Sequence, residues 1–384
     1  MGLTMHRPLA AWGVLLVGAL VLGCSSPAAP PAQSKAAATA PAAATAPAKA
    51  PPAATATVQT APTVATVPSP PASPDRVRIA HVPSTLFAPL YVAIEKGYLQ
   101  EQAINLQLEV ITAGQDAMTL TAQGQLDAVV GGFGAATFNA IDRGLEIRVV
   151  GSMGAQPQSG FPSALMVRKD LLDSGQVKTV ADLKGRKVAL AGGAGSTGSY
   201  WIATKLREAN LSLHDIDIVN MGFADMVAAF KSSAIEAAFP PAPFTTQIIR
   251  DGTAENFGGP IRPGASAVGL VYGTAFMRDH DAAAKRLFAA LVRGARDLQG
   301  DRYYSDANLE IFAKYTNLPV DTLRNIDQYG FDPDMRPDVE TLMDMQRIFQ
   351  EAGIILYSQP LPPERVADES YSRAAVASLG PYRP

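Results

Sequence analysis

The sequence predicts an α/β protein made of two parallel sheets. Three observations carry that prediction. Short apolar strands alternate with helix-period segments from residue 76 onward, glycine closes each early helix, and the alternation begins again near residue 180. Arg76–Val82 alternates apolar and polar residues and reads as a strand. A helix over Pro89–Lys96 stops at Gly97, a strand follows over Asn105–Ile111, and a helix over Asp116–Gln123 stops at Gly124. Leu126–Val130 is a short strand, Ala135–Arg143 a helix ended by Gly144, and Ile147–Ser152 a fourth strand.

The second round places a short helix at Val180–Leu183, then a strand at Lys187–Ala191 and a helix at Ser199–Asn210. Strands at Ile216–Met221 and Ala237–Phe239 alternate with helices at Asp225–Ser232 and Phe244–Arg250. After an apolar run at Ala267–Tyr272 the pattern turns helical: Asp281–Leu298, Ser305–Tyr315, Val320–Ile326, Asp338–Glu351 and Ser370–Leu379. Gly124-Gln-Leu-Asp127-Ala and Ser233-Ala-Ile-Glu236-Ala form an internal echo, each ending a helix and opening a strand with an acid followed by alanine. The echo predicts two related lobes.

Composition narrows the function. The chain has 384 residues, 32 basic and 35 acidic, for a net charge of −3. That balance argues against nucleic acid, which calls for a basic face. Residues 1–74 hold Arg7, Lys35 and Lys49 and no acid, so the remainder carries a net acidic charge. The single cysteine, Cys24, excludes an intrachain disulfide and a cysteine metal cluster. The four histidines are scattered, without a metal-ligand spacing, and no metal or cofactor is expected.

His6 and Arg7 precede an apolar run from Leu9 to Leu22, too short for a comfortable membrane span and followed by Gly23-Cys24. The segment resembles a bacterial lipoprotein signal, with Cys24 as the lipidated residue after cleavage and 1–24 as the signal. Val21 stands where leucine is commoner. The other reading is an ordinary signal peptide with an incidental cysteine. From Cys24 to Pro74 there are 19 Ala and 12 Pro. Proline at that density blocks helix, and little is there to bury, so 25–74 is expected to be a disordered tether with a reach of at most ~150 Å.

Ala88-Pro-Leu-Tyr-Val-Ala-Ile-Glu-Lys-Gly97-Tyr-Leu, Gly124-Gln-Leu-Asp-Ala128, Leu165-Met-Val-Arg-Lys-Asp-Leu-Leu172 and Ala181-Asp-Leu-Lys-Gly185-Arg-Lys-Val-Ala occur in this order. Together they resemble the nitrate/sulfonate/taurine-type solute-binding proteins of ABC importers, a family that also includes binders of thiamine pyrimidine precursors. The resemblance covers roughly residues 76–300. It implies a type II periplasmic binding protein fold: two lobes, 75–163 plus 268–384 and 168–264, joined by two crossing strands near Ser163–Val167 and Ala267–Tyr272, with ligand in the cleft and extra C-terminal helices. It further implies a monomer that delivers a small-molecule ligand to an ABC transporter permease on the extracytoplasmic face of the membrane.

In such sheets ligands sit beyond the carboxyl ends of the strands. The loops at those ends supply the candidate ligand contacts: Thr85 and Phe87, Gly114 and Gln115, Phe133 and Gly134, Ser196 and Thr197 with Gly198, Phe223, and Pro241. These loops hold no Arg or Lys, so backbone N–H groups and hydroxyls are expected to hold a small anion such as a sulfonate, taurine or nitrate. Phe87, Tyr91, Phe133 and Phe223 offer an apolar wall, with core packing the competing role. The resemblance assigns ligand contacts to Ser196, Thr197 and Gly198.

Gly193-Ala-Gly195-Ser-Thr-Gly198 is formally a GxGxxG. A dinucleotide site also needs an acid at the end of the next strand. That strand ends Val219-Asn220-Met221-Gly222, and Asp215 and Asp217 lie at its start. Relatives often carry Glu-Pro-Phe where this chain has Ala242-Pro243-Phe244, which weighs against cationic or pyrimidine ligands. Catalysis has no visible apparatus. His81 lacks an obvious partner, and an enzyme branch that makes a pyrimidine on this fold uses histidine and a cysteine-rich segment absent here. A receptor-coupled sensing domain shares the same predicted cleft.

Overall fold

The computed structural model describes residues 66–111 and 114–384. The predicted signal with Cys24, and the tether up to residue 65, fall outside the described residues. The described end of the tether lies on the body, where the Val67 N–H donates to Ser378 Oγ at 2.7 Å and the Val67 side chain packs against the first lobe's core.

Ten strands form two five-stranded sheets. They are β1 (Asp75–His81), β2 (Ile104–Val110), β3 (Ala128–Gly132), β4 (Ile147–Ser152), β5 (Met166–Arg168), β6 (Lys187–Leu190), β7 (Asp217–Asn220), β8 (Ala237–Ala238), β9 (Ala254–Asn256) and β10 (Val268–Gly273). The first sheet runs β2-β1-β3-β10-β4 and the second β7-β6-β8-β5-β9. In each, three parallel strands are followed by one antiparallel strand and then an edge strand.

The sheets are therefore mixed, which corrects the expectation of purely parallel lobes. The antiparallel member of each sheet is the strand by which the chain arrives from the other lobe: β5 enters the second sheet and β10 returns to the first. It must run against its neighbours because it enters from the cleft side. The connecting stretches themselves, 153–165 and 257–267, are irregular apart from single bridges such as Ser163 with Pro241. β9, three residues long, is too short for its periodicity to register in the sequence.

The internal echo has a structural meaning. Asp127, just before β3, accepts the Arg78 backbone N–H (2.7 Å) and its guanidinium (3.0 Å) on β1. Glu236, just before β8, accepts the Lys187 backbone N–H (3.0 Å) on β6 and the Arg186 guanidinium (2.6 Å). In both lobes an acid just before one parallel strand, β3 or β8, fastens the parallel strand beside it, β1 or β6.

The first sheet is covered on one face by the Asp281–Arg296 helix, which packs on the Ala88–Glu95 helix. The Val339–Glu351 helix lies between the first lobe's Ala135–Asp142 helix and the second lobe's Thr197–Arg207 helix. No helix among the described residues is long and apolar enough to cross a membrane.

Gly294 permits a close approach between the Asp281–Arg296 and Ala88–Glu95 helices. A Cβ there would lie 2.2 Å from the Pro89 carbonyl oxygen and 3.2 Å from the Ala93 nitrogen, both of them backbone atoms. Alanine gains about 1 kcal/mol in helix propensity, but two packed helices cannot part locally at that cost. Gly294→Ala is expected to lower the unfolding free energy by about 1–3 kcal/mol in chemical denaturation. A stabilised variant would show that the interface yields.

Candidate functional site

Loops from the carboxyl ends of the strands in both sheets meet around one cavity of ≈ 760 Å³. From the first lobe, β1 runs into Pro83 and Ser84, and Ser84 caps the Thr85–Phe87 turn by accepting the Leu86 N–H at 3.2 Å. β3 runs into Phe133 and Gly134, and Gly134 opens the Ala135–Asp142 helix. From the second lobe, β6 leads through Gly192 into a tight Gly193–Gly195 turn and then the Thr197–Arg207 helix. β8 leads through Pro241, Ala242 and Pro243 into the Phe244–Arg250 helix.

Nine of the candidate contacts line this cavity together: Thr85, Phe87, Phe133, Gly134, Ser196, Thr197, Gly198, Phe223 and Pro241. Phe87 and Phe133 are also buried core residues, so wall and core are one role there. Tyr91 belongs to the core behind the wall, with its hydroxyl 2.9 Å from His81 Nδ1 and its ring stacked on Tyr315 at 4.3 Å. Gly114 and Gln115 are described by backbone only, at the start of the Gly114–Ala122 helix.

The hydroxyls expected to greet a ligand have internal work. Ser196 is the N-cap of the Thr197–Arg207 helix: its Oγ accepts the Ser199 N–H (3.2 Å) and donates to the Gly193 carbonyl (2.8 Å). Thr197 Oγ1 reaches across the cleft and donates to the Phe133 carbonyl at 2.6 Å. Thr197 is thus a latch between the lobes. Asn220, where a dinucleotide site would need an acid, accepts the Gly192 N–H at 3.0 Å and steadies the loop below the helix.

The lobes touch closely at this point. A Cβ on Gly132 would stand 2.6 Å from Thr197 Oγ1, and one on Gly195 would stand 3.3 Å from both the Ala135 Cβ and the Ile354 side chain. The cleft is closed, and the absence of a Cβ at Gly132 permits the latch.

Electrostatically the cavity is neutral. No Lys, Arg, His, Asp or Glu lines it among the described residues. Its remaining walls include the aromatic and aliphatic Leu86, Trp201, Phe239, Phe244, Leu318, Ile326 and Tyr329, with Ser84, Gln156, Ser163 and Thr316 as polar members. Sequence reasoning missed Gln156 and the contribution of 316–329, because the loops after β4 and in the C-terminal region follow no strand-end pattern, and it missed Trp201, which lies inside the Thr197–Arg207 helix beyond the strand-end loop. No group of three or more metal-binding side chains occurs among the described residues.

Comparison with known proteins places this geometry. The alkanesulfonate-binding protein SsuA from Xanthomonas axonopodis pv. citri, solved with MOPS, superposes with a TM-score of 0.60 at 18% identity, covering 77% of this chain and 99% of that one. The periplasmic nitrate-binding protein NrtA from Synechocystis PCC 6803 gives 0.64 at 14% identity, over 80% of this chain and 90% of that one. The desulfurization enzyme DszB gives 0.52 at 15% identity, over 79% of this chain and 99% of that one. The fold is the type II periplasmic binding protein fold. The chain belongs to the NMT1/THI5-like family, whose model matches residues 84–301. A Brucella abortus protein named as a binding protein is 26% identical over 147 residues, 38% of this chain. The match spans 41% of that curated relative's length.

Gly132→Ala must displace Thr197 or hold the lobes apart. The variant is therefore expected to have a larger radius of gyration in small-angle scattering than the parent, while its far-ultraviolet circular dichroism stays the same. An unchanged radius would mean that the latch bond is dispensable for closure.

The buried histidine adds a pH dependence. His81 is 2% exposed, and burial holds its pKa below the ordinary imidazole value. The unfolded chain then binds a proton near pH 6.5 that the folded chain resists. This contribution is complete above about pH 6.5 and declines as pH falls through it. His81→Gln is expected to show a shallower loss of stability than the parent between about pH 7 and pH 5. Parallel curves would show that His81 does not titrate against burial.

Proposed function

We propose that the chain is an extracytoplasmic solute-binding protein, anchored by lipid on Cys24 and tethered by 25–74, whose lobes 75–163 plus 268–384 and 168–264 close on a small organic solute and hand it to an ABC transporter permease. The observation that carries this reading is the Thr197–Phe133 bond across a cavity built from strand-end loops of both lobes. A site divided between two hinged bodies binds by closing. The family membership and the likeness in fold to sulfonate- and nitrate-binding proteins support the transport role.

A binding role rather than catalysis is supported by the cavity's chemistry: its described walls hold neither a base nor an acid to move a proton. The nine candidate contacts named above are proposed as the ligand-facing set, with Thr197 acting through closure. The protein is proposed to work as a monomer, since one chain supplies both walls.

Scattering and thermal melting with sulfonates, taurine, nitrate, pyrimidines and aromatic acids test the reading. A true solute raises the melting temperature by selective binding to the folded state and shrinks the radius of gyration. A solute that raises the melting temperature at saturation while the radius stays fixed would count against closure. For the anchor, Cys24→Ser is expected to move the protein from the membrane fraction to the soluble fraction. Retention after a carbonate wash would show an uncleaved span instead.

A further inference from the structure

Most side-chain hydroxyls of the cleft donate inside the protein, while Ser84 Oγ accepts the Leu86 N–H. Ser163 shares a 2.8 Å hydrogen bond with the Tyr329 hydroxyl, which donates to the Pro162 carbonyl at 3.1 Å. Ser196 donates to the Gly193 carbonyl, Thr197 to that of Phe133 and Thr316 to that of Phe312. These hydrogens are committed inside the protein. Gln156 and Trp201 are different. They are 7% and 5% exposed, both line the cavity, and neither the amide nor the indole N–H has a hydrogen-bond partner among the described residues. They are also absent from the sealed, partnerless polar atoms, which are Ser152 Oγ, Asn256 Oδ1, Asn308 Oδ1 and Gln328 Oε1. The free valences of Gln156 and Trp201 therefore reach the open space of the cavity. A ligand that fills this space displaces water from the amide and the indole N–H and must supply their partners itself.

We propose that Gln156 and Trp201 are the polar recognition pair of the cleft, and that the ligand is an uncharged, planar organic molecule carrying a carbonyl or amide. The inference rests on the solute-binding reading above. The indole N–H is a donor only, so it calls for an acceptor. The Gln156 amide offers a donor and an acceptor together, which an amide or lactam answers in pairs. Negative charge is disfavoured by the described walls. No cation lines the cavity among the described residues, and the strand-end stretch Thr112-Ala-Gly-Gln-Asp116 contains none in its sequence either. An anion shut inside would lose its water without gaining an opposite charge. Phe133, Phe223, Phe239 and Phe244 present rings to the same space, and aromatic walls favour a flat apolar body. The volume, ≈ 760 Å³, is that of a pocket for an organic molecule rather than for a bare oxyanion. This departs from the small anion that the loop composition suggested.

The test is calorimetric titration of the full-length chain with benzamide, benzoate and benzenesulfonate, in the parent and in Gln156→Leu and Trp201→Phe. In the parent, benzamide is expected to bind at least about tenfold more tightly than its isosteric anion benzoate. Gln156→Leu keeps the volume and loses the amide, so it should cut that ratio to below about threefold, and Trp201→Phe should weaken benzamide while sparing the ring wall. Melting curves of the ligand-free variants report whether each folds. The parent ratio stands as a test even where a variant does not. Benzoate or benzenesulfonate binding as tightly as benzamide would overturn the proposal, as would an undiminished ratio in a folded Gln156→Leu. Should the anions bind and shrink the radius of gyration, the neutral ligand falls and the solute-binding reading stands. The neutral ligand also falls, and solute binding again stands, should none of the three bind at millimolar concentration while taurine or nitrate closes the protein. Should nothing in either set move the melting temperature or the radius, both fall.

Discussion

The cleft depends on how near Thr197 can come to β3. Its hydroxyl reaches the Phe133 carbonyl at 2.6 Å only because residue 132 has no side chain. That contact fixes the distance between the lobes, and the distance fixes the cavity. It also removes Thr197 from the pool of ligand donors. A single hydrogen bond of this kind contributes about 0.5–1.5 kcal/mol, enough to bias an open–closed equilibrium and too little to lock it. The remaining closing energy must come from whatever fills the space between the walls. That is the thermodynamic requirement on a protein that captures and then releases.

The two sheets make the cleft possible by being versions of one plan. In each, an acid just before one parallel strand holds the parallel strand beside it, through Asp127 with Arg78 and through Glu236 with Lys187. Such bonds sit at the amino ends of the strands, away from the ligand. Stability contacts thus occupy one end of each sheet, and the loops at the other end are left to vary. The neutral, ring-lined cavity is the product of that division. Its loops carry glycine, serine, proline and phenylalanine, while the Arg78–Asp127 and Arg186–Glu236 ion pairs lie away from them, where the strands begin.

Much of this was legible in the sequence, and for identifiable reasons. Strand alternation and glycine stops found the order of elements, since β1 and β4 are long enough to betray themselves and Gly97, Gly124 and Gly144 end the first helices with positive φ. Strand ends found nine residues that meet in one cavity, because loop position follows from strand direction. What stayed hidden depends on partners distant in the chain. The antiparallel sense of β5 and β10 is set by which lobe the chain is leaving. Thr197 reads as a donor until its acceptor, 64 residues away, is known. Gln156 and Trp201 look like ordinary residues of a connection and a helix. Their importance lies in having no protein partner among the described residues, and a sequence cannot show that.

The last constraint is the Val339–Glu351 helix, which packs on the first lobe's Ala135–Asp142 helix and bonds to the second lobe's Thr197–Arg207 helix. Asp344, 7% exposed, accepts Arg262 Nη1 at 2.9 Å, Arg207 Nη1 at 3.2 Å, the Tyr200 hydroxyl at 3.1 Å and Arg347 Nη2 at 2.9 Å. A carboxylate this buried cannot lose its partners cheaply, because removing one side of a buried pair costs several kcal/mol. The Thr197 latch costs far less to break. When the cleft opens, the weak contact at its mouth must therefore yield before the ionic cluster at its back. Tyr200 and Arg207 hold the Thr197–Arg207 helix to Asp344, while its first residue holds the Phe133 carbonyl. One helix thus carries both the strong contact and the weak one, and the strength of each is set by charge and burial.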